Sequence, residues 1–202
     1  MRKRLPFLLP VLLLALSLLL AACGGPPYQF HGTAYDPVIP APALVGVQAG
    51  DVPFDLRDLP EKVKLVFFGY TFCPDVCPLT LANMRAVYDL LPADRQQNVA
   101  AVFVSVDPER DTPERLGDYA HAFHPAFYGV HVPAEKLEEV KQGYGVYSER
   151  RELESSESAA GYLIDHTAAV FLIDKDNNLR AVFSNEAPAA EIAADVEHLL
   201  KQ

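Results

Sequence analysis

FGYTFCPDVCPLT, residues 68–80, decides how this chain is read. Two cysteines, Cys73 and Cys77, stand four apart, each followed by proline, directly after the apolar run KLVFF. A short apolar run bounded by glycine reads as a buried strand over 64–70. PLTLANMRAVYDLL (78–91) carries Leu81, Met84, Val87, Tyr88 and Leu91 at helical spacing. The cysteines therefore fall at a strand-to-helix turn, where ligands gather beyond the carboxyl ends of strands in open α/β sheets. A thiol at a helix N-terminus meets the positive end of the macrodipole, which favours thiolate. Four residues of helix rise by about 6 Å, close enough for two sulfurs to form a disulfide or to share one ion. As a structural staple the pair is the weakest reading, because closing so short a loop stabilises little.

Outward from this turn, strands and helices alternate. DVPFDLRDL (51–59) suggests a short hairpin, and VAAVFVSVD (99–107) a second buried strand. Thr112-Pro113 opens a helix, with the hydroxyl as N-cap and proline at the first position. AEKLEEVKQGYGV (134–146) is a helix ending at glycine. TAAVFLID (167–174), the turn KDNN and LRAVFSN (179–185) form an antiparallel hairpin, and the chain closes with the amphipathic helix PAAEIAADVEHLLKQ. ERRELESSE, within Glu149–Glu157, reads as a solvated acidic loop or a docking surface for a cationic partner. The order predicts an α/β fold with a mixed central sheet flanked by helices and an N-terminal extension or hairpin.

Half of the 202 residues are hydrophobic and 22% are charged, which is globular composition. The formal charge of -10 argues against a nucleic-acid surface. The N-terminus is a separate module. MRKR is a positive n-region, LPFLLPVLLLALSLLL an apolar h-region, and small residues precede Cys23. LAAC resembles the bacterial lipobox, which implies that residues 1–22 are a lipoprotein signal and that Cys23 carries the lipid. An uncleaved transmembrane anchor is the alternative, since the run nearly reaches spanning length. Either reading tethers the rest outside the cytoplasm. Residues 23–43, rich in Gly and Pro, read as a flexible tether, and 44–202 as the folded domain.

Two sulfurs rarely complete a metal site, so a third donor is sought among the six histidines. His31, His121, His124, His131 and His198 read as solvated or hydrogen-bonded residues. His166, in IDHT at the mouth of the strand TAAVFLID, would lie near the cysteine strand. The residues alone leave it evenly balanced between a ligand and a satisfied histidine.

FGYTFCPDVCP, SVDPERDTP (105–113) and YLIDHTAAVFLID (162–174) together resemble the Sco/SenC family of copper chaperones, over roughly residues 45–200. The resemblance implies a thioredoxin-like fold and one copper ion held by Cys73, Cys77 and His166. It further implies a role in assembling the copper A site of cytochrome c oxidase. The implied partners are the copper A-bearing subunit, a further copper chaperone, and the extracytoplasmic face of the bacterial cytoplasmic membrane. One departure is Phe72, where many relatives carry histidine. Thiolates select Cu(I), whereas structural zinc wants a fourth protein ligand. Asp165 is a candidate for orienting His166, with an ordinary turn residue as the alternative. Asp107 either faces the cysteines or caps the DPERDTP loop; Arg110 and Asp111 read as loop-fixing. The competing function is a thiol-disulfide reductase, with Cys73 and Cys77 keeping the cysteines of the copper A subunit reduced. A peroxide-handling role lacks its PxxxTxxC context.

Overall fold

The computed structural model describes residues 27–153 and 161–202. The signal segment 1–22 and Cys23 lie outside the described residues. Two buried strands make the centre, β4 (Val63–Gly69) and β5 (Val99–Ser105), parallel and in register from Val63 opposite Val99 to Gly69 opposite Ser105. Every residue of both is buried, which is why they read as unbroken apolar runs rather than alternating ones. Lys64 is the exception in type. Its Nζ donates to the Asp174 carbonyl (3.2 Å) and to Asn177 Oδ1 (2.9 Å), so the buried ammonium is met by the KDNN turn.

The sheet order is β1-β10-β9-β4-β5-β6, with β6 (Tyr128–Val130) parallel to β5. The hairpin β9 (Ala169–Ile173) and β10 (Asn178–Ser184) is as the sequence predicts, and β9 runs antiparallel to β4. Adjacent strand residues face opposite sides of a sheet. Phe67 accordingly stacks on Phe103, which meets Tyr119 of α3 (Pro113–Phe123). Phe68 meets Phe171 and Tyr144 of α4 (Ala134–Tyr144) on the other side. Helix α1 (Val76–Leu90) packs against α5 (Ala189–Leu200) and α3; a single turn, α2 (Ala93–Gln96), lies between α1 and β5. The caps follow the sequence. Thr112 accepts from the Arg115 amide, Pro113 opens α3, and Gly145, at φ 67°, ends α4 in the left-handed conformation glycine tolerates. The early hairpin lies ahead of its expected place within 51–59: it is β2 (Val45–Gln48) with β3 (Val52–Asp55), and Leu56–Asp58 is a 3-10 turn.

The structure corrects the sequence reading in three further places. The expected flexible tether is ordered from Tyr28 onward: Thr33–Pro40 is β1, an edge strand of the central sheet on β10. The reason is a buried carboxylate that sequence reading could not partner. Asp195 on α5 accepts from Tyr28 Oη (2.7 Å), the His31 amide (2.9 Å) and the Gly32 amide (3.2 Å), and also bonds the His31 ring (2.8 Å). Tyr28 also stacks on His198 at 3.6 Å. Second, the acidic run is not all loop. Ser148–Glu152 is β7, paired with β8 (Tyr162–His166) in a separate two-stranded ribbon; residues 154–160 lie outside the described residues. Third, α1 begins at Val76 rather than Pro78, so Cys77 lies within the helix.

Replacing Asp195 by Ala should strip the leader of its acceptor and cost about 1–3 kcal/mol, the range for leaving buried donors unsatisfied. The expected outcome is a lower urea midpoint together with faster chymotryptic cutting at Tyr28 and Tyr35. Asp195 raises the His31 pKa, chiefly through their hydrogen bond. The histidine's share of this docking is therefore full below its ordinary value and fades as pH rises through the raised one. An unchanged midpoint and cleavage pattern would show that the leader is not held by Asp195.

Candidate metal centre

The centre forms where β4 ends. Phe67 lies opposite Val170, and continuing that antiparallel register brings residues 166–168 alongside the loop that follows Gly69. Cys73 in that loop and Cys77 in the first turn of α1 thus meet His166, 89 residues beyond Cys77 in the chain but adjacent in space. Cys73 Sγ, Cys77 Sγ and one His166 ring nitrogen all lie within 4.8 Å of one another. Cys77 Sγ is 3.3 Å from His166 Nε2.

Helix α1 has an unusual start. Asp75 at the N-cap makes no side-chain capping bond; the free Cys77 amide instead points at Cys73 Sγ, 3.4 Å away. The sulfur takes the place of a capping oxygen, and the charge that suits it there is negative. Pro78 in the same turn removes an amide that would have had no helical acceptor. Cys73 is partly exposed and Cys77 buried, and both are free thiols. The hydrogen bond from Cys77 pulls the Cys73 pKa down to about 4, with the His166 ring and the Asp75 and Cys77 amides helping against burial. Cys77 is pushed up, first by donating to Cys73 and then by burial. The pair thus holds one proton near neutral pH, as coupled sites do.

Gly69 makes room for this arrangement. A Cβ there would stand 2.7 Å from Cys77 Sγ and 2.9 Å from Phe103 Cε2, well inside contact distance. His166 is fixed from its other nitrogen: Nδ1 donates to the Thr167 carbonyl (3.1 Å), which leaves the Nε2 lone pair facing the sulfurs. The Tyr70 ring meets the imidazole edge-on at 5.8 Å, and Tyr70 Oη accepts from the Ile164 amide (3.2 Å). The cysteine loop is anchored beneath by Asp111, fully buried, which accepts from the Thr71 amide (3.0 Å), Thr71 Oγ1 (2.5 Å) and Ser105 Oγ (2.7 Å). Burial raises the Asp111 pKa against the pull of those bonds.

The three donors named from the sequence are together, and His166 ends β8 rather than beginning the strand of 167–174. Asp165 is exposed and faces Arg151 at 3.5 Å. Neighbouring residues of a strand face opposite ways, so it does not orient His166. Asp107 takes the loop-capping alternative: its carbonyl accepts the Arg110 and Asp111 amides, and its carboxylate holds Arg110 (2.5 Å) and Tyr162 Oη (2.7 Å). Gly69, Tyr70, Thr71 and Tyr162 escaped the sequence reading; only the nearness of Gly69 and Tyr70 to Cys73 in the chain hinted at them. Among the described residues His121 and His124 make no cluster with other donors, and His131 bonds the Asp111 carbonyl.

The donor set fits a soft ion. Zinc-type bonds to thiolate and imidazole run about 2.0–2.3 Å, so donors within about 4.6 Å of each other can share an ion, close to the spacing here. Among the described residues the cluster has three donors, short of the four of structural zinc, and two of them are the sulfurs that Cu(I) selects.

Comparison with known proteins gives consistent findings. Residues 46–201 match the family model described as SCO1/SenC. The mitochondrial SCO1 homolog 1 of Arabidopsis thaliana is 35% identical over 122 residues, 60% of this chain; the match spans only 35% of that protein's length. The solution structure of apo Sco1 from Thermus thermophilus superposes with a TM-score of 0.75 at 36% identity, covering 87% of this chain and 99% of that one. The Bradyrhizobium japonicum ScoI structure with copper bound gives 0.70 at 31% identity, covering 80% and 99%. The fold is thioredoxin-like, as expected.

Two outcomes test the site's geometry. Alkylation of the reduced, metal-free protein should fall on Cys73 alone and stay fast down to pH 6, slowing only toward pH 4. Replacing Cys77 by Ala should move that midpoint up toward the ordinary thiol range of about 8.5. A midpoint unchanged by Cys77→Ala would remove the thiol–thiolate bond as its cause. Separately, Gly69→Ala should displace the Cys77 sulfur and weaken metal binding at least tenfold, read by competitive titration with a chelator.

Proposed function

This chain belongs to the SCO1/SenC family, and from that premise we propose that it is a copper-binding protein that loads the copper A-bearing subunit of cytochrome c oxidase. The observation that carries the reading is the convergence of Cys73 Sγ, Cys77 Sγ and a His166 nitrogen within 4.8 Å. A copper-bound relative of the same fold supports the choice of ion. Copper is cargo here. The thiolate of Cys73 is ready without deprotonation, Cys77 gives up the shared proton, and His166 offers Nε2; release follows when a partner's donors replace them one by one. Cys73 and His166 are both partly exposed, so a partner reaches them before the buried Cys77.

The proposal includes attachment to the extracytoplasmic face of the bacterial cytoplasmic membrane through lipid on Cys23. It rests on the composition of residues 1–23, since no helix among the described residues is long and apolar enough to cross a membrane. With Tyr28 docked on Asp195, the leader is held to the folded domain five positions after Cys23 in the sequence.

A second reading is favoured by one asymmetry. A partly exposed low-pKa thiol beside a buried high-pKa one is the arrangement of an attacking and a resolving cysteine, so the reduced protein is also suited to reducing an acceptor disulfide. His166 separates the two. His166→Ala should lower copper affinity by at least tenfold, about 1.4 kcal/mol, while leaving disulfide exchange largely intact. Copper binding unchanged in that variant would sink the three-donor assignment. Mixing the copper-loaded protein with an apo copper A subunit, and the metal-free reduced protein with its disulfide form, then decides which product forms.

A further inference from the structure

The site is assembled from two elements, and at the His166 end the second is tied to the central sheet only by the short link through Thr167 and Ala168 into β9. Cys73 and Cys77 belong to the β4–α1 turn, whereas His166 ends the β7–β8 ribbon, a two-stranded unit outside the central sheet. Something must hold the ribbon against the turn if three donors are to keep one spacing.

Arg110 touches both. Its Nη1 donates to the Tyr162 carbonyl on β8 (2.9 Å), and its guanidinium carbon lies 3.4 Å over the Tyr162 ring. On the other side it lies 4.7 Å over the ring of Phe72, the residue before Cys73, and 5.7 Å from the Tyr70 ring. Its Nε is held by Asp107 Oδ2 at 2.5 Å, and the same carboxylate takes the Tyr162 hydroxyl through Oδ1 at 2.7 Å. Arg110 and Asp107 are both largely buried, 15% and 3% exposed at the side chain, so this ion pair is poorly screened by water. The Arg150 carbon lies 3.7 Å over the Tyr162 ring as well. Two guanidiniums that close to one centroid cannot share a face, so the ring is sandwiched between them. Tyr162 stands at the far end of β8 from His166, and Ile164 between them is held by Tyr70 Oη.

We propose that Arg110 is a positioning residue for the metal centre: by bonding Tyr162 and stacking on Phe72 it locks the His166 strand to the Cys73 turn, and so sets copper affinity without touching the ion. It rests on the copper-binding reading. A planar fork is needed, because one group must donate in the ring plane of its own atoms while stacking on two aromatic faces; a lysine ammonium does neither at once. Residues that orient metal ligands from one shell out govern affinity by about 10–100-fold.

The test is a double-mutant cycle on the full-length reduced protein, with Cu(I) affinity measured by competition with a chromophoric chelator. Arg110→Ala should weaken binding by about 10–100-fold. Arg110→Lys should not rescue it. In the His166→Ala background, removing Arg110 should cost nothing further, because the donor it positions is already gone. Losses that simply add would overturn the inference, as would full affinity in Arg110→Ala or rescue by lysine. Should Arg110→Ala fail to fold, Tyr162→Leu removes the stacked ring while leaving the Arg110–Asp107 pair, and the same non-additivity is required of it. If His166→Ala itself leaves Cu(I) affinity unchanged, the three-donor reading fails and takes this one with it; if only the Arg110 arm is silent, the copper reading stands alone.

Discussion

The centre depends on β9 running antiparallel to β4. That one register, Lys64 opposite Ile173 through Phe67 opposite Val170, carries the chain from the cysteine turn's neighbour strand back to the same end of the sheet. A histidine 89 residues beyond Cys77 then arrives where the cysteines are. Register in a fully buried strand is strongly specified, because a slip by one residue would turn Phe171 and Val170 to the wrong faces. The geometry of three donors is therefore inherited from core packing rather than from local sequence. Lys64 reinforces it from the opposite end, its buried ammonium closing on the turn between β9 and β10.

Charge distribution at the turn follows from the same placement. The Cys77 amide is one of the free donors at the start of α1, and the nearest acceptor is a sulfur rather than the Asp75 side chain. A thiolate is the better acceptor there, and the buried Cys77 thiol is the better proton holder. The asymmetry between the two cysteines is thus a consequence of one lying before the helix and the other inside it. The two proposed activities, metal binding and disulfide exchange, would draw on this same asymmetry, and only His166 distinguishes them.

The polar groups around the centre form two anchors with distinct tasks. Asp111 ties Thr71 to Ser105, holding the cysteine turn against the end of β5. Asp107 and Arg110 tie the next loop to Tyr162 and so to the ribbon. Both carboxylates come from SVDPERDTP, so a single loop serves both halves of the site. Phe72, where relatives are expected to carry histidine, adds an aromatic face beneath Arg110 and also beneath Arg115. The leader, docked through Tyr28 and His31 on Asp195, completes the opposite edge of the sheet.

Periodicity and local chemistry were enough to read β4, β5, the β9–β10 hairpin and the helices from the sequence, along with the caps at Thr112 and Gly145. These depend on contacts between residues close in the chain or on burial of both faces, and such demands show in residue type. The two cysteines were legible for the same reason. His166 was undecided from the residues alone and became a candidate ligand through its motif; its distance to Cys77 Sγ is a tertiary fact. Asp195 was hidden because a buried carboxylate on a helix looks like a solvated one until its partners arrive from 163 to 167 positions away. For the same reason the leader looked like a linker: edge strands need only one neighbour, and proline-rich sequence does not announce it. What the sequence by itself determined was the central strands, the β9–β10 hairpin, the four longer helices and the soft donors. Only the tertiary structure decided which distant groups meet, because burial and register, not composition, bring them within bonding distance.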